Sequence, residues 1–369
     1  MHGDLSPSLS HHTKPLTMYR IMCCVVFLLL NISMSTLTVA EEQNTVQLSL
    51  QRLTTPVQNP QDILQQHASL QWQSLEQFNF RIQTSDSWLK ITFLNDSDQQ
   101  ATRFLEIASK LESIDIYHWR VKNDTITLTP YYRTLGYAHP FAPRLINYRN
   151  PIYPITLNAQ EERSFLIHLH TPHIQEIHLL LWDSASMQYA KSHELIFFGL
   201  IYGALLMIII FNAFMFYSNQ NKKHLLLMLY AGINLLFIGM YEDHIFQFIA
   251  PSVPWPKGIV YAIVLAMMCL IFSFFSVITL DLEKRAPALS RSLIGISGAA
   301  ALLILALAVR HPLESFSPFC LLIVIGIYSA NLATSLWVWN QRGDNAGWLS
   351  LATAVLTLGL LLDFLAKRR

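Results

Sequence analysis

A chain of 369 residues has room for two domains, and a formal net charge of +1 leaves none of the basic surplus that a nucleic-acid surface needs. Hydrophobic residues make up 52 % against 13 % charged, and the two kinds are segregated. Residues 41 to about 190 mix charged, polar and aromatic side chains, whereas 195–366 is mostly Leu, Ile, Phe, Ala and Val with charges in short gaps, which excludes a single water-soluble domain.

The N-terminus reads as an export signal. From Met18 the order is basic Arg20, the apolar run Ile21–Leu30, a more polar stretch, and small residues Thr38 and Ala40 before Glu41, as a signal peptidase site requires. A signal peptide is therefore expected over 18–40, with residues 1–17 preceding the true start. The alternative is an uncleaved anchor, for which the apolar run falls short of the ~20 residues a span needs. Cys23 and Cys24 lie in the signal and Cys269 and Cys320 in predicted membrane helices, so the exported domain is expected to fold without disulfides. No cysteine–histidine spacing suits zinc.

Residues 41–190 alternate with a period of two. In Trp88–Leu94 the side chains of Leu89, Ile91 and Phe93 face one way and those of Lys90 and Thr92 the other, as in a half-buried strand. Segments 125–129, 164–170 and 174–182 behave alike, with turn residues Asn95, Asp96, Asn123, Asp124 and Pro172 between runs. Several short strands at this spacing predict a β-sandwich.

Two features of this domain are candidates for ligand chemistry. Tyr117 and Trp119 share a strand face, and a loop from Tyr131 to Arg144 brings Arg133, Tyr137 and Arg144 among rings and prolines. Rings stack on sugar faces and Arg pairs with carboxylates, so a saccharide or small anion is a candidate ligand, against which stands the more ordinary reading that these rings form the core and a rigid corner. The second feature is the series His168, His170, His173 and His178. His168 and His170 point to one face, opposite Phe165, Ile167 and Leu169, but no Asp, Glu or Cys adjoins them at ligand spacing. A wet sheet face is expected there, with no metal and no cofactor.

The second half, 191–369, predicts six spans near 195–217, 225–246, 259–280, 292–309, 318–339 and 346–366. With residues 41–190 outside, the loops bearing Lys222–Lys223 and Lys284–Arg285 fall on the cytoplasmic side and the acidic, aromatic loop after Glu242 on the outer side, in accord with the positive-inside rule. The terminal Lys367, Arg368 and Arg369 disagree, since six spans would place them outside. Asn212, Asn234, Asn331 and Asp363 lie at membrane depth and are expected to bond neighbouring helices rather than line an ion path. The prolines cluster in gaps rather than breaking helices, which disfavours a transporter. Glu242, Asp243 and His244 form the one dense polar group, and it reads as a helix end, so no enzyme is expected.

Gly199, Tyr202 and Gly203, then Phe211, Asn212 and Phe214 in the same helix, the run Leu225–Tyr230, and the Arg342–Trp348 turn resemble the membrane module of bacterial seven-transmembrane receptors with diverse intracellular signalling modules. The first half is similar to that family's type 2 extracellular domain at Trp88–Ile91 with Asn95, Leu105–Ile107, Ile114–Tyr117, and Gly136 with Pro140, Phe141 and Arg144. The resemblance implies a jelly-roll-like periplasmic sensor for carbohydrates or other small ligands over 41–190, joined to an all-α helix bundle over 191–369. Relatives commonly continue into a cyclase, kinase or phosphatase domain. This chain is expected to stop short of the seventh helix and of any effector, so a cytosolic signalling protein would read the bundle. A truncated product without signalling output is the alternative. The expected setting is the inner membrane of a Gram-negative cell, with a second copy of the chain as a further candidate partner.

Overall fold

The computed structural model describes residues 46–366 apart from 56, 58, 67–69, 76, 83–85, 123–124, 137, 172–174, 253–256, 311–312 and 344. The signal segment, Tyr137, His173 and the terminal Lys367–Arg369 therefore lie outside the described residues. The chain forms two compact units: one holds the described residues up to Leu195 together with those of Gly239–Pro256, and the other holds Ile196–Ile238 and those from Lys257 onward.

The first unit is an antiparallel sandwich. Its strands are β1 (Val46–Leu53), β2 (Trp72–Leu75), β3 (Asn79–Ile82), β4 (Asp86–Asn95), β5 (Ala101–Ile107), β6 (Ser113–Lys122), β7 (Thr125–Leu135), β8 (Ile152–Leu157), β9 (Glu162–His170) and β10 (Gln175–Trp182), with one short helix, α1 (Pro60–Gln66). They make a 6-stranded sheet in the order β2-β1-β4-β9-β6-β7 and a 4-stranded sheet in the order β3-β10-β5-β8. The alternation seen in sequence fixes the register, because a slip of one residue would turn every apolar side chain outward. Leu89, Ile91 and Phe93 of β4 and Phe165, Ile167 and Leu169 of β9 thus face Leu105, Ile107, Ile155 and Ile177 of the smaller sheet in one core. Tyr131–Arg133, expected in a loop, belong instead to β7, which pairs with β6 as far as Leu135. Gly136 follows the last paired residue of β7 at φ +118°, and a Cβ there would stand 2.5 Å from the Glu112 carbonyl oxygen, so only glycine fits.

A second core lies on the opposite face of the larger sheet. Trp88, Leu166, Tyr117 and Trp119 are buried there with Leu53, Val57 and Ile63, the last from α1. The Trp88 indole N–H donates to the Val57 carbonyl at 2.8 Å, which lets the ring be buried without an orphaned donor.

The remaining helices are α2 (Ser184–Asn219), α3 (Lys222–Tyr241), α4 (Lys257–Thr279), α5 (Leu282–Arg285), α6 (Pro287–Arg310), α7 (Leu313–Asn340) and α8 (Ala346–Ala366), with a π-helical segment Ile245–Ile249 between α3 and α4. Five are long and apolar enough to cross a membrane, and a shorter apolar stretch, Ala346–Leu362, occupies the place of the sixth expected span. Ile210 and Phe214 are 68 % and 67 % exposed, a surface that suits hydrocarbon and not water. The second expected span ends at Tyr241, short of 246, because the chain turns there with Asp243 at φ 62°.

Polar side chains within the helices find partners across them. Asn212 of α2 reaches His224 of α3 at 3.0 Å, and Asn331 of α7 donates to Ser273 of α4 at 3.2 Å. Asn234 donates back to the Tyr230 carbonyl of its own helix at 2.7 Å. The Asp363 side chain lies outside the described residues. The hydroxyls of Tyr230 and Tyr328 meet at 2.9 Å, with Phe272 stacked on Tyr328 at 4.7 Å, tying α3, α4 and α7 together.

Candidate functional site

The outer face of the larger sheet gathers residues that are far apart in sequence. Pairing of β4, β9 and β6 sets Asp86 beside His170 and Trp88 and Asp115 on either side of His168. Asp86 Oδ1 lies 3.0 Å from His168 Nε2 and 2.9 Å from His170 Nδ1, and Asp115 lies 3.9 Å from His168 Nδ1. The expectation that no carboxylate adjoins the histidine pair is therefore corrected: sequence spacing sees one strand, and both carboxylates arrive from its neighbours. The His168 ring stacks on Trp88 at 4.2 Å. Among the described residues no group of three or more His, Cys, Asp or Glu is arranged to hold a metal ion.

Of the five sequence candidates for ligand binding, those whose side chains are described fall in two places, Tyr117 and Trp119 in the second core and Arg144 in the segment after Gly136. Tyr117 and Trp119 sit together in the second core, 4 % and 9 % exposed, with Trp72 edge-on to Trp119 at 6.0 Å and the Lys90 ammonium 5.1 Å from its ring. Arg133 lies in β7 with its side chain outside the described residues, as is all of Tyr137. Arg144 is elsewhere, with Nη1 donating to the carbonyls of Tyr148 at 3.2 Å and Arg149 at 2.5 Å. Its guanidinium lies 4.4 Å from the Phe141 ring and 5.7 Å from that of Phe246. Arg144 thus braces the loop 141–150 from within.

That loop carries a cluster of hydrogen bonds and ion pairs. Phe141 and Ala142 N–H donate to the Pro251 carbonyl at 2.7 and 3.0 Å, and Gln247 Nε2 donates to Asn147 at 3.1 Å, so the loop is docked on the turn between α3 and α4. Arg149 pairs with Glu194 near the start of α2 and with Glu242 just beyond α3. The Tyr148 hydroxyl donates to Glu194, and Lys110 donates to the Tyr241 carbonyl at 2.5 Å with Asp243 4.0 Å away. Beside this group Glu106, 1 % exposed, accepts from Lys191 at 2.8 Å, Trp182 at 2.7 Å and Asn150 at 2.6 Å.

Burial sets the electrostatics. It pushes the Glu242 carboxyl above the ordinary carboxylate range, with Arg149 and Lys110 pulling it back only in part. It likewise holds the His244 imidazole below its usual value, with Arg149 acting in the same direction. Burial opposes the Arg149 charge too, but Tyr148, Glu242 and Glu194 outweigh it and hold the guanidinium above its ordinary value. Sequence reasoning missed Tyr148, Arg149 and Glu194 and read Glu242 as a mere helix end. The available signal was position: Lys191 and Glu194 stand just before the first apolar span and Glu242 near the far end of the second, at the ends expected on one side.

A β-sandwich followed by a polytopic helix bundle, with a charged loop paired to Glu194 and Glu242, is the architecture of a multi-pass membrane protein. The model described as 7TMR-DISM extracellular 2 matches residues 46–183, and the one described as 7TM diverse intracellular signalling matches 194–368. The chain belongs to this 7TMR-DISM family of membrane receptors. No curated protein matches it. Arg149 falls within the first match and Glu194 and Glu242 within the second.

Proposed function

We propose that the protein is an inner-membrane receptor that takes a small ligand, a saccharide or small anion, on its periplasmic sandwich and passes the event through the bundle to a cytosolic signalling partner. It does so without chemistry of its own. The observation that carries this reading is that the turn between α3 and α4 packs in one compact unit with the sandwich. The sensor domain is thereby joined to the helices at that turn as well as through the start of α2. A ligand that favours one arrangement of the unit shifts the population of the other arrangement only by its difference in affinity for the two.

The outer sheet face offers the polar half of such a ligand site: Asp86, Asp115 and His170 are each partly exposed beside the stacked His168 and Trp88. A saccharide is held by hydrogen bonds to such groups together with apolar contact on a ring face.

Sidedness tests the receptor reading. Single cysteines at Asn219 and Ala286, in a background lacking the native ones, should resist an impermeant thiol reagent in intact cells. One at Ser252 should react once the outer membrane is permeable. The reverse pattern would place the sandwich in the cytoplasm and end the proposal.

A further inference from the structure

We propose that Arg149 is the positioning residue that fastens the α3–α4 turn and the head of α2 to the sensor loop 141–150, so that loop and turn move as one body. The proposal deepens the receptor reading by naming the residue through which the sensor grips the helices.

Three observations carry it. Arg149 is the side chain that bridges the two acids: one guanidinium nitrogen faces Glu194 and another faces Glu242, so the fork spans one carboxylate on α2 and one on the turn after α3. The three side chains are only 20 %, 22 % and 11 % exposed, which removes most of the solvent screening that makes surface ion pairs weak. The guanidinium is itself held from behind, since Nε lies 3.4 Å from the Tyr148 hydroxyl and Arg144 grips the carbonyls of Tyr148 and Arg149. A lysine could not replace this geometry, because an ammonium is a point charge without the planar fork. The turn also makes uncharged contacts with the loop, through Pro251, Gln247 and the edge-on pair Phe141 and Phe246 at 5.4 Å. These hold the surfaces in register, while Arg149 gives the joint its dependence on charge.

The groups that face Glu242 are Arg149 from the loop, Lys110 from the β5–β6 connection, Glu194 from α2 and Asp243 from the turn, with His244 beside Arg149. Glu242 is easier to protonate in the closed joint than in water. The proton-linked part of its contribution to closure is therefore full below the ordinary carboxylate range and is lost as pH rises through its raised value, and above that value the pairing with Arg149 is what Glu242 still supplies. His244 works in the opposite sense, because its imidazole is harder to protonate when the joint is closed. Comparing wild type with Glu242→Gln isolates the carboxylate, since His244 is common to both.

The test is amide hydrogen exchange on the full chain in lipid nanodiscs, with no ligand added, for Arg149→Ala, Glu242→Ala and the double variant. Each single change is expected to speed exchange in both 141–150 and 239–252 on the order of tenfold, with the β4 and β9 amides unchanged. The double variant is expected to go no further than the singles, as for partners in one interaction. Should Arg149→Ala fail to assemble, Arg149→Lys keeps the charge and loses the fork, and faster exchange in 239–252 is again expected. The gap between wild type and Glu242→Gln, corrected for intrinsic exchange, should change with pH in the direction given above. Unchanged exchange at 239–252, effects that simply multiply, or a gap flat in pH would each overturn the assignment. A failed cycle leaves the sidedness test untouched, and a reversed sidedness leaves the cycle untouched, so the two ideas fail separately.

Discussion

Trp88→Ala should cost the sandwich about 3–5 kcal/mol, the range for removing a large buried aromatic without collapse of the space it leaves. Trp88 is 2 % exposed and lies between the outer sheet face and the segment that carries Val57 and Ile63. Its loss removes the donor to the Val57 carbonyl and the surface on which His168 stacks. The expected signature is local as well as global. Protease sites in 54–71 should open before the inter-sheet core melts, because Phe93 and Phe165 belong to the other cluster. Limited proteolysis across a thermal ramp reads both; a variant that melts in one step with 54–71 still protected would show that the second core is not a separate support.

Lys191→Ala should be of similar size, about 3–5 kcal/mol, since it leaves a fully buried carboxylate without its cation. Glu106 keeps the Trp182 and Asn150 donors but no counter-charge among the described residues nearest it. Because the missing ammonium also sits 3.8 Å over the Tyr148 ring, the change should loosen the loop 141–150 as well. Thermal unfolding of the full chain in nanodiscs should show the loss at neutral pH and a partial recovery in Lys191→Ala with Glu106→Gln, which removes the stranded charge. No recovery in the double variant would assign Lys191 a packing role alone.

The sandwich was legible because a period of two in β4 and β9 is dictated by burial on one face, and that pattern survives in the sequence whatever the topology. The helices were legible for the same reason at membrane length. What stayed hidden is the work of register and of chain return. Asp86 and His168 are 82 positions apart, and only antiparallel pairing of β4 with β9 puts them at 3.0 Å. Tyr117 and Trp119 were correctly placed on one face, yet the sequence carries no sign that α1 and the segment before it cover that face. Arg144 carries the same charge as Arg149, and nothing local distinguishes the brace from the fork. Arg149 finds Glu242, 93 positions on, because the turn after α3 packs within the sandwich's own compact unit.

The most direct test of the receptor account joins binding to movement in one sample. A fluorophore on Asn219→Cys, in a chain lacking its native cysteines and held in nanodiscs, reports on the loop between α2 and α3 while mono- and disaccharides and small carboxylates are titrated. The account predicts that a compound raising the melting temperature of the sandwich also shifts this emission in wild type, and that Arg149→Ala keeps the binding and loses most of the shift. Compounds that bind the sandwich and leave the emission at residue 219 unchanged in wild type would contradict it.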